Sequence, residues 1–191
     1  MEDFLQIFLI GLIILFILFV YSSKYSLLVA VKSDIDKETY IVRKQSDSQD
    51  AANLLCKLKL KLVQVINILN EKHPNDKRVT LLISRFNPKN ISESIPGTNY
   101  TSYSINKGEK IVFCIRNKIT DKFVNINTLL FVGIHELAHL MSTSIGHTEE
   151  FWDNMRFILK NSIQSKIYKK QNFEKNPKKY CGTIITSSPL K

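Results

Sequence analysis

The chain opens on an apolar run from Phe4 to Tyr21, broken only by Gln6 and Gly11. A helix of roughly 17–25 such residues crosses the hydrocarbon core of a bilayer. Met1-Glu2-Asp3 carries no lysine or arginine, and no small-x-small cleavage site follows the run. The pattern therefore predicts a retained transmembrane anchor, not a cleaved signal peptide. Beyond residue 26 the pattern becomes periodic. Leu27–Val31 and Tyr40–Arg43 read as short strands joined across the polar turn Ser33–Glu38. Ser46-Asp47-Ser48-Gln49 resembles a capping box. Leu55, Leu58, Leu62, Val65 and Leu69 then give one apolar helix face, ending near Glu71 before Pro74-Asn75-Asp76. Val79–Ser84 reads as a buried strand, and Asn87–Asn99 as a loop punctuated by Pro88, Pro96 and Gly97. A turn over Ser104–Glu109 leads into a strand at Lys110–Arg116.

Asn125 or Asn127 is placed to cap the next helix. That helix is apolar on nearly all sides: Leu129–Ile134 enters the segment His135-Glu136-Leu137-Ala138-His139, and Leu140-Met141 leaves it. Ser144-Ile145-Gly146 then reads as a turn. A second helix follows from Thr148, its cap, to about Tyr168, with Trp152, Met155, Leu159 and Ile163 facing inward. No repeat or low-complexity linker divides the chain. The expected organisation is an anchor and juxtamembrane segment over residues 1–26 and one domain over 27–191. The domain is α+β, a small mixed β-sheet backed by helices with a cleft for a metal.

The chemistry concentrates near residue 140. His135 and His139 stand four apart and share one helix face, so both can grip one metal ion. Glu136 lies beside that ion, placed to take a proton from water. Three of the four histidines fall within residues 135–147. The third ligand is read as His147, brought back by the turn at Gly146, with Glu149 and Glu150 as local alternatives. Three protein ligands leave a place for water or substrate, as catalytic zinc sites do. Two imidazoles and a carboxylate on a buried helix are costly without such a reason. For the oxyanion of a tetrahedral intermediate, Tyr168, Tyr180 and Arg116 are the candidate donors. Cys181 is read as a plain buried thiol, with zinc ligation as its alternative.

His135-Glu136-Leu137-Ala138-His139, followed by Gly146-His147 and Phe151, resembles the Wss1-like metalloproteases, the WLM domain family, relatives of the SprT-like zinc peptidases. The resemblance covers roughly residues 27–190. Thr101–Lys110, the strand Ile111–Arg116, Tyr180-Cys181-Gly182 and Ser187–Leu190 are similar to a subgroup in large DNA viruses whose members carry an N-terminal membrane anchor. Seven residues separate His139 from His147, more than is usual for Wss1-like and fewer than for SprT-like proteases. The resemblance implies a zincin-like domain that binds Zn2+ through His135, His139 and His147, with Glu136 as general base hydrolysing peptide bonds in a protein or peptide substrate. It also implies that strand 111–116 is the sheet edge against which an extended peptide lies. Its cellular members degrade proteins attached to DNA. Two other functions stay open: a non-catalytic, zinc-stabilised virion membrane or scaffold protein, and a DNA-associated protease acting on DNA–protein crosslinks.

Charge adds orientation and partners. Lys24 and Lys32 follow the span and no basic residue precedes it, which places the domain on the cytoplasmic side or in the virion interior. Cys56, Cys114 and Cys181 are odd in number and scattered, which does not read as a disulfide framework and agrees with that side. Two sequons, at Asn90 and Asn99, point the other way. Net charge is +10, and residues 151–191 hold nine Lys or Arg against Asp153 and Glu174. Such a tail suits a solvated face, an anionic lipid surface or nucleic acid. Aromatics do not interleave with it as a base-stacking platform requires.

Overall fold

The computed structural model describes residues 2–25, 27–98 and 100–190; Met1 and the sequon residue Asn99 lie outside them. The first helix, α1, runs Glu2–Tyr25. Within it Phe4–Ser22, 19 residues of mean hydropathy 2.9, is long and apolar enough to cross a membrane, and none of it is buried against the rest of the chain.

The strands β1 (Leu28–Lys32) and β2 (Thr39–Arg43) pair antiparallel, as their alternation predicts. Helix α2 (Ser48–Lys72) buries Leu55, Leu58, Leu62, Val65 and Leu69 along the expected stripe. The expected capping box does not form. Asp47 stands at the cap without a capping bond, and its carboxylate instead takes the Arg116 guanidinium at 2.7 and 2.8 Å. A correction falls at Val79–Ser84. It is not a strand but the body of helix α3 (Lys77–Arg85), capped by Asp76, whose side chain accepts from the Arg78 N–H. Val79 and Leu82 are buried while Ile83 is exposed, a spacing of three that a short apolar run does not distinguish from a strand.

A further strand, β3 (Ile91–Glu93), lies inside the stretch read as loop. Strands β4 (Tyr103–Ile105) and β5 (Lys110–Phe113) complete a five-stranded mixed sheet in the order β1-β2-β3-β5-β4. The pairs β2–β3 and β3–β5 are parallel, whereas β4–β5 is antiparallel. The edge expected at residues 111–116 is therefore corrected: β5 is interior and β4 is the edge. Helix α4 (Ile126–Met141), capped by Asn125, packs on α2 closely enough that a Cβ at Gly133 would sit 2.8 Å from a Leu62 methyl. Helix α5 (Glu149–Gln164) lies against α4 and stops short of Tyr168. A hairpin of β6 (Lys178–Tyr180) and β7 (Thr183–Ile185) closes the chain.

The structure corrects the cysteine reading. Cys114 and Cys181 form a disulfide 67 residues apart in sequence, and Cys56 is the free, buried thiol. Cys181 is thus neither a plain thiol nor a zinc ligand. Spacing conceals the pairing because the fold brings the end of β5 against the tip of the last hairpin.

Candidate metal centre

Helix α4 presents His135 and His139 one turn apart, as the four-residue spacing requires. Their Nε2 atoms lie 3.2 Å apart, and His147 Nε2 lies 3.1 Å from that of His135. One ligand atom from each of the three histidines falls within 4.8 Å of the others. Two imidazole nitrogens bound at about 2.0–2.1 Å to one tetrahedral ion stand roughly 3.3 Å apart. The donor set and its spacing therefore fit zinc. Burial, helped by the neighbouring imidazoles, depresses His135 to about 3. Burial, with His147 and Lys107 nearby, depresses His139 to about 4. Both rings are thus neutral near pH 7, the state that ligates a metal.

The turn holding His147 is built by Glu150, an alternative ligand in the sequence reading, and by Lys107, to which that reading gave no role. Glu150 accepts from the backbone N–H groups of Thr143 (2.8 Å) and Ser144 (2.9 Å); the Ser144 side chain foremost, with these bonds, pulls its carboxyl down to about 2. Lys107 Nζ donates to the carbonyls of Ser142 and Ser144 at 3.1 and 3.2 Å. Gly146 takes φ 82°, where a side chain would be strained. Glu150 is thereby occupied as a loop staple, and Glu149 pairs with Arg156 at 2.7 Å. The structure therefore brings His147, and neither of the two glutamates, to the histidine pair. Beneath all three imidazoles lies Phe151, fully buried, with ring centroids 4.3–4.8 Å from theirs.

Glu136 is 4% exposed, and burial pushes its carboxyl up to about 7. Tyr180 joins it in the cleft, its hydroxyl 2.6 Å from Ser102 Oγ. Burial chiefly, and secondarily the nearby Glu136 charge, hold that phenol well above its ordinary value. The other two oxyanion candidates are placed elsewhere. Arg116 is 1% exposed and engaged by Glu93 and Asp47 at 2.7 Å each. Tyr168 packs beside Phe131 in the core. The fourth histidine, His73, pairs with Asn161 at 3.1 Å, outside the cluster. Lys169, Lys175 and Lys178 of the basic tail line an open hollow beside the start of α4, the end opposite the histidines.

Comparison with known proteins gives a consistent picture. The WLM domain matches residues 35–189. A protein of Acanthamoeba polyphaga mimivirus is 32% identical over 165 residues, covering 84% of each chain. A protein of Invertebrate iridescent virus 6 is 31% identical over 113 residues, 57% of this chain and 61% of that one. Among solved structures, Wss1 from Saccharomyces cerevisiae superposes with a TM-score of 0.50 at 18% identity, over 65% of this chain and 88% of that one, a likeness of fold.

Proposed function

The chain belongs to the WLM family, and on that premise we propose that it is a membrane-anchored, zinc-dependent endopeptidase in which His135, His139 and His147 hold the ion and Glu136 is the general base. The observation that carries the proposal is the convergence of three imidazoles beside a buried carboxyl. Bound there, zinc supplies a Lewis acid that polarises a carbonyl and makes a coordinated water more acidic. Glu136, poised near neutrality, accepts a proton from the attacking water and returns it to the departing amine. The Tyr180 hydroxyl is the donor best placed for the developing oxyanion. Strand β4 borders the histidine cleft and is an edge of the sheet, so an extended peptide adds there by main-chain pairing.

In this proposal α1 is the anchor, residues 27–191 are the protease domain, and the domain faces the cytoplasm or the virion interior, as the lysines after the span direct. The Cys114–Cys181 disulfide is compatible with that side because both cysteines are buried, 0% and 1% exposed, and thiol exchange requires access to a sulfur.

The test uses the full chain in detergent with an unfolded protein as substrate. Cleavage is expected with zinc, is lost on chelation, and is absent in Glu136→Gln that retains the metal. Equal cleavage by Glu136→Gln would remove the role assigned to that residue.

A further inference from the structure

Two hollows meet at the histidine cluster. One, about 490 Å3, opens over His139, His147 and Tyr103. The other, about 260 Å3, is walled by Phe131, Val132, Trp152 and Met155 and, from the C-terminal segment, by Ile185 and Pro189. Thr101, Ser102, His135 and Glu136 border both. Among the described residues the second hollow has no lysine or arginine in its lining, although the chain carries a net charge of +10. Thr183 and Ser187 also line it, yet more of its surface is apolar than polar, and it opens beside the proposed general base.

Its outer wall is held in place by specific contacts. The β6–β7 hairpin turns through Cys181 and Gly182, both at positive φ (46° and 80°), the conformation of a tight two-residue hairpin turn. Cys181 is bonded to Cys114, just beyond the end of β5. The neighbouring Tyr180 hydroxyl meets Ser102, whose Oγ accepts from the Cys114 N–H at 3.1 Å. The C-terminal segment is therefore fixed to the sheet at the mouth of the cleft.

We propose that this recess is a side-chain subsite selecting a large apolar or aromatic residue beside the scissile bond, with the disulfide-tethered hairpin as its outer wall. The inference rests on the peptidase reading for which bond is cut, and on the cavity alone for what is bound. An apolar cavity of about 150 Å3 holds a benzene ring, so the recess has room for a phenyl or isobutyl group. A peptide lying along β4 passes Thr101 and Ser102, which border the recess. Burying such a side chain favours phenylalanine over alanine by about 10–100-fold.

The only tryptophan in the chain, Trp152, lines the recess and reports its occupancy without any turnover. The full chain in detergent, with chelator present, is titrated with two blocked peptides that differ by Phe or Ala at one position. The Phe peptide is expected to shift Trp152 emission and bind at least about tenfold tighter. In the zinc-loaded chain, the same pair is expected to differ by a similar factor in kcat/KM. Val132→Phe fills the recess, and Ile185→Lys places a charge in its wall; either is expected to erase the preference, so a folding failure in one leaves the other decisive. Equal binding of the two peptides, or an unchanged Trp152 spectrum, overturns the inference. Cleavage without a Phe preference also overturns it while sparing the peptidase reading. Selective binding with no cleavage at any zinc concentration supports the subsite and overturns the peptidase reading instead.

Discussion

Replacing Cys114 and Cys181 together by alanine cuts the covalent link between the sheet and the last hairpin; alanine avoids burying two hydroxyls. The cysteines are 67 residues apart, and a chain-entropy treatment of a loop that size gives roughly 4 kcal/mol of stabilisation, lost in the double variant. For a domain of this length, about 2–4 °C of Tm accompanies each kcal/mol, so a fall of roughly 8–16 °C is expected. Thermal unfolding of the full chain in detergent, followed by Trp152 fluorescence, measures it. The same account requires that the denatured, unreduced wild type expose one reactive thiol, Cys56. A Tm within about 2 °C of wild type, below what one kcal/mol produces, or three reactive thiols in the unreduced chain, would refute the reasoning. The outer wall of the apolar recess would then lack its tether.

The remaining predictions concern the cleft. Glu136 has a folded pKa of about 7 against an ordinary 4.5, so both folded and unfolded states hold its proton below about pH 4.5. Stability is then lost as pH rises toward 7, because the unfolded state ionises first; metal-free Glu136→Gln should gain on wild type from nothing at low pH to roughly 3 kcal/mol above pH 7, read from urea midpoints. His135 and His139 titrate in both chains and largely cancel in that difference, so a gap that does not change with pH would contradict the buried carboxyl. Tyr180→Phe should lower kcat by about 10–1000-fold with little change in KM if the phenol donates to the oxyanion; a KM effect alone would make Tyr180 a wall of the recess and nothing more.

Much of the cleft was legible because helical geometry is local. The spacing of His135 and His139 fixes their common face, Asn125 and Thr148 cap where capping chemistry predicts, and Gly146 turns the chain so that His147 returns. What escaped the sequence depends on contacts between distant segments. Strand β3 reads as loop because Ser92 and Glu93 are polar, yet both are buried, and Glu93 satisfies the Arg43 N–H and the Arg116 guanidinium at 2.8 and 2.7 Å. The same pairing removes Arg116 from the oxyanion candidates. Helix α3 reads as a strand because six residues cannot separate the two periods. The sequence offered Tyr180 only as one of three oxyanion candidates and did not bring Ser102 or the disulfide to the cleft, because β4, β5 and the terminal hairpin meet only in the folded chain. Phe151, quoted only as part of the family motif, acquires its role as a floor under three imidazoles from the packing of α5 on α4.

The central claim is that His135, His139 and His147 share one zinc ion. Elemental analysis of the full chain after dialysis against a zinc buffer tests it directly, comparing wild type with His147→Ala. The account predicts one zinc per chain in the wild type and a sharp loss in the variant, with the fold retained by circular dichroism. Unchanged stoichiometry and affinity in His147→Ala would contradict it.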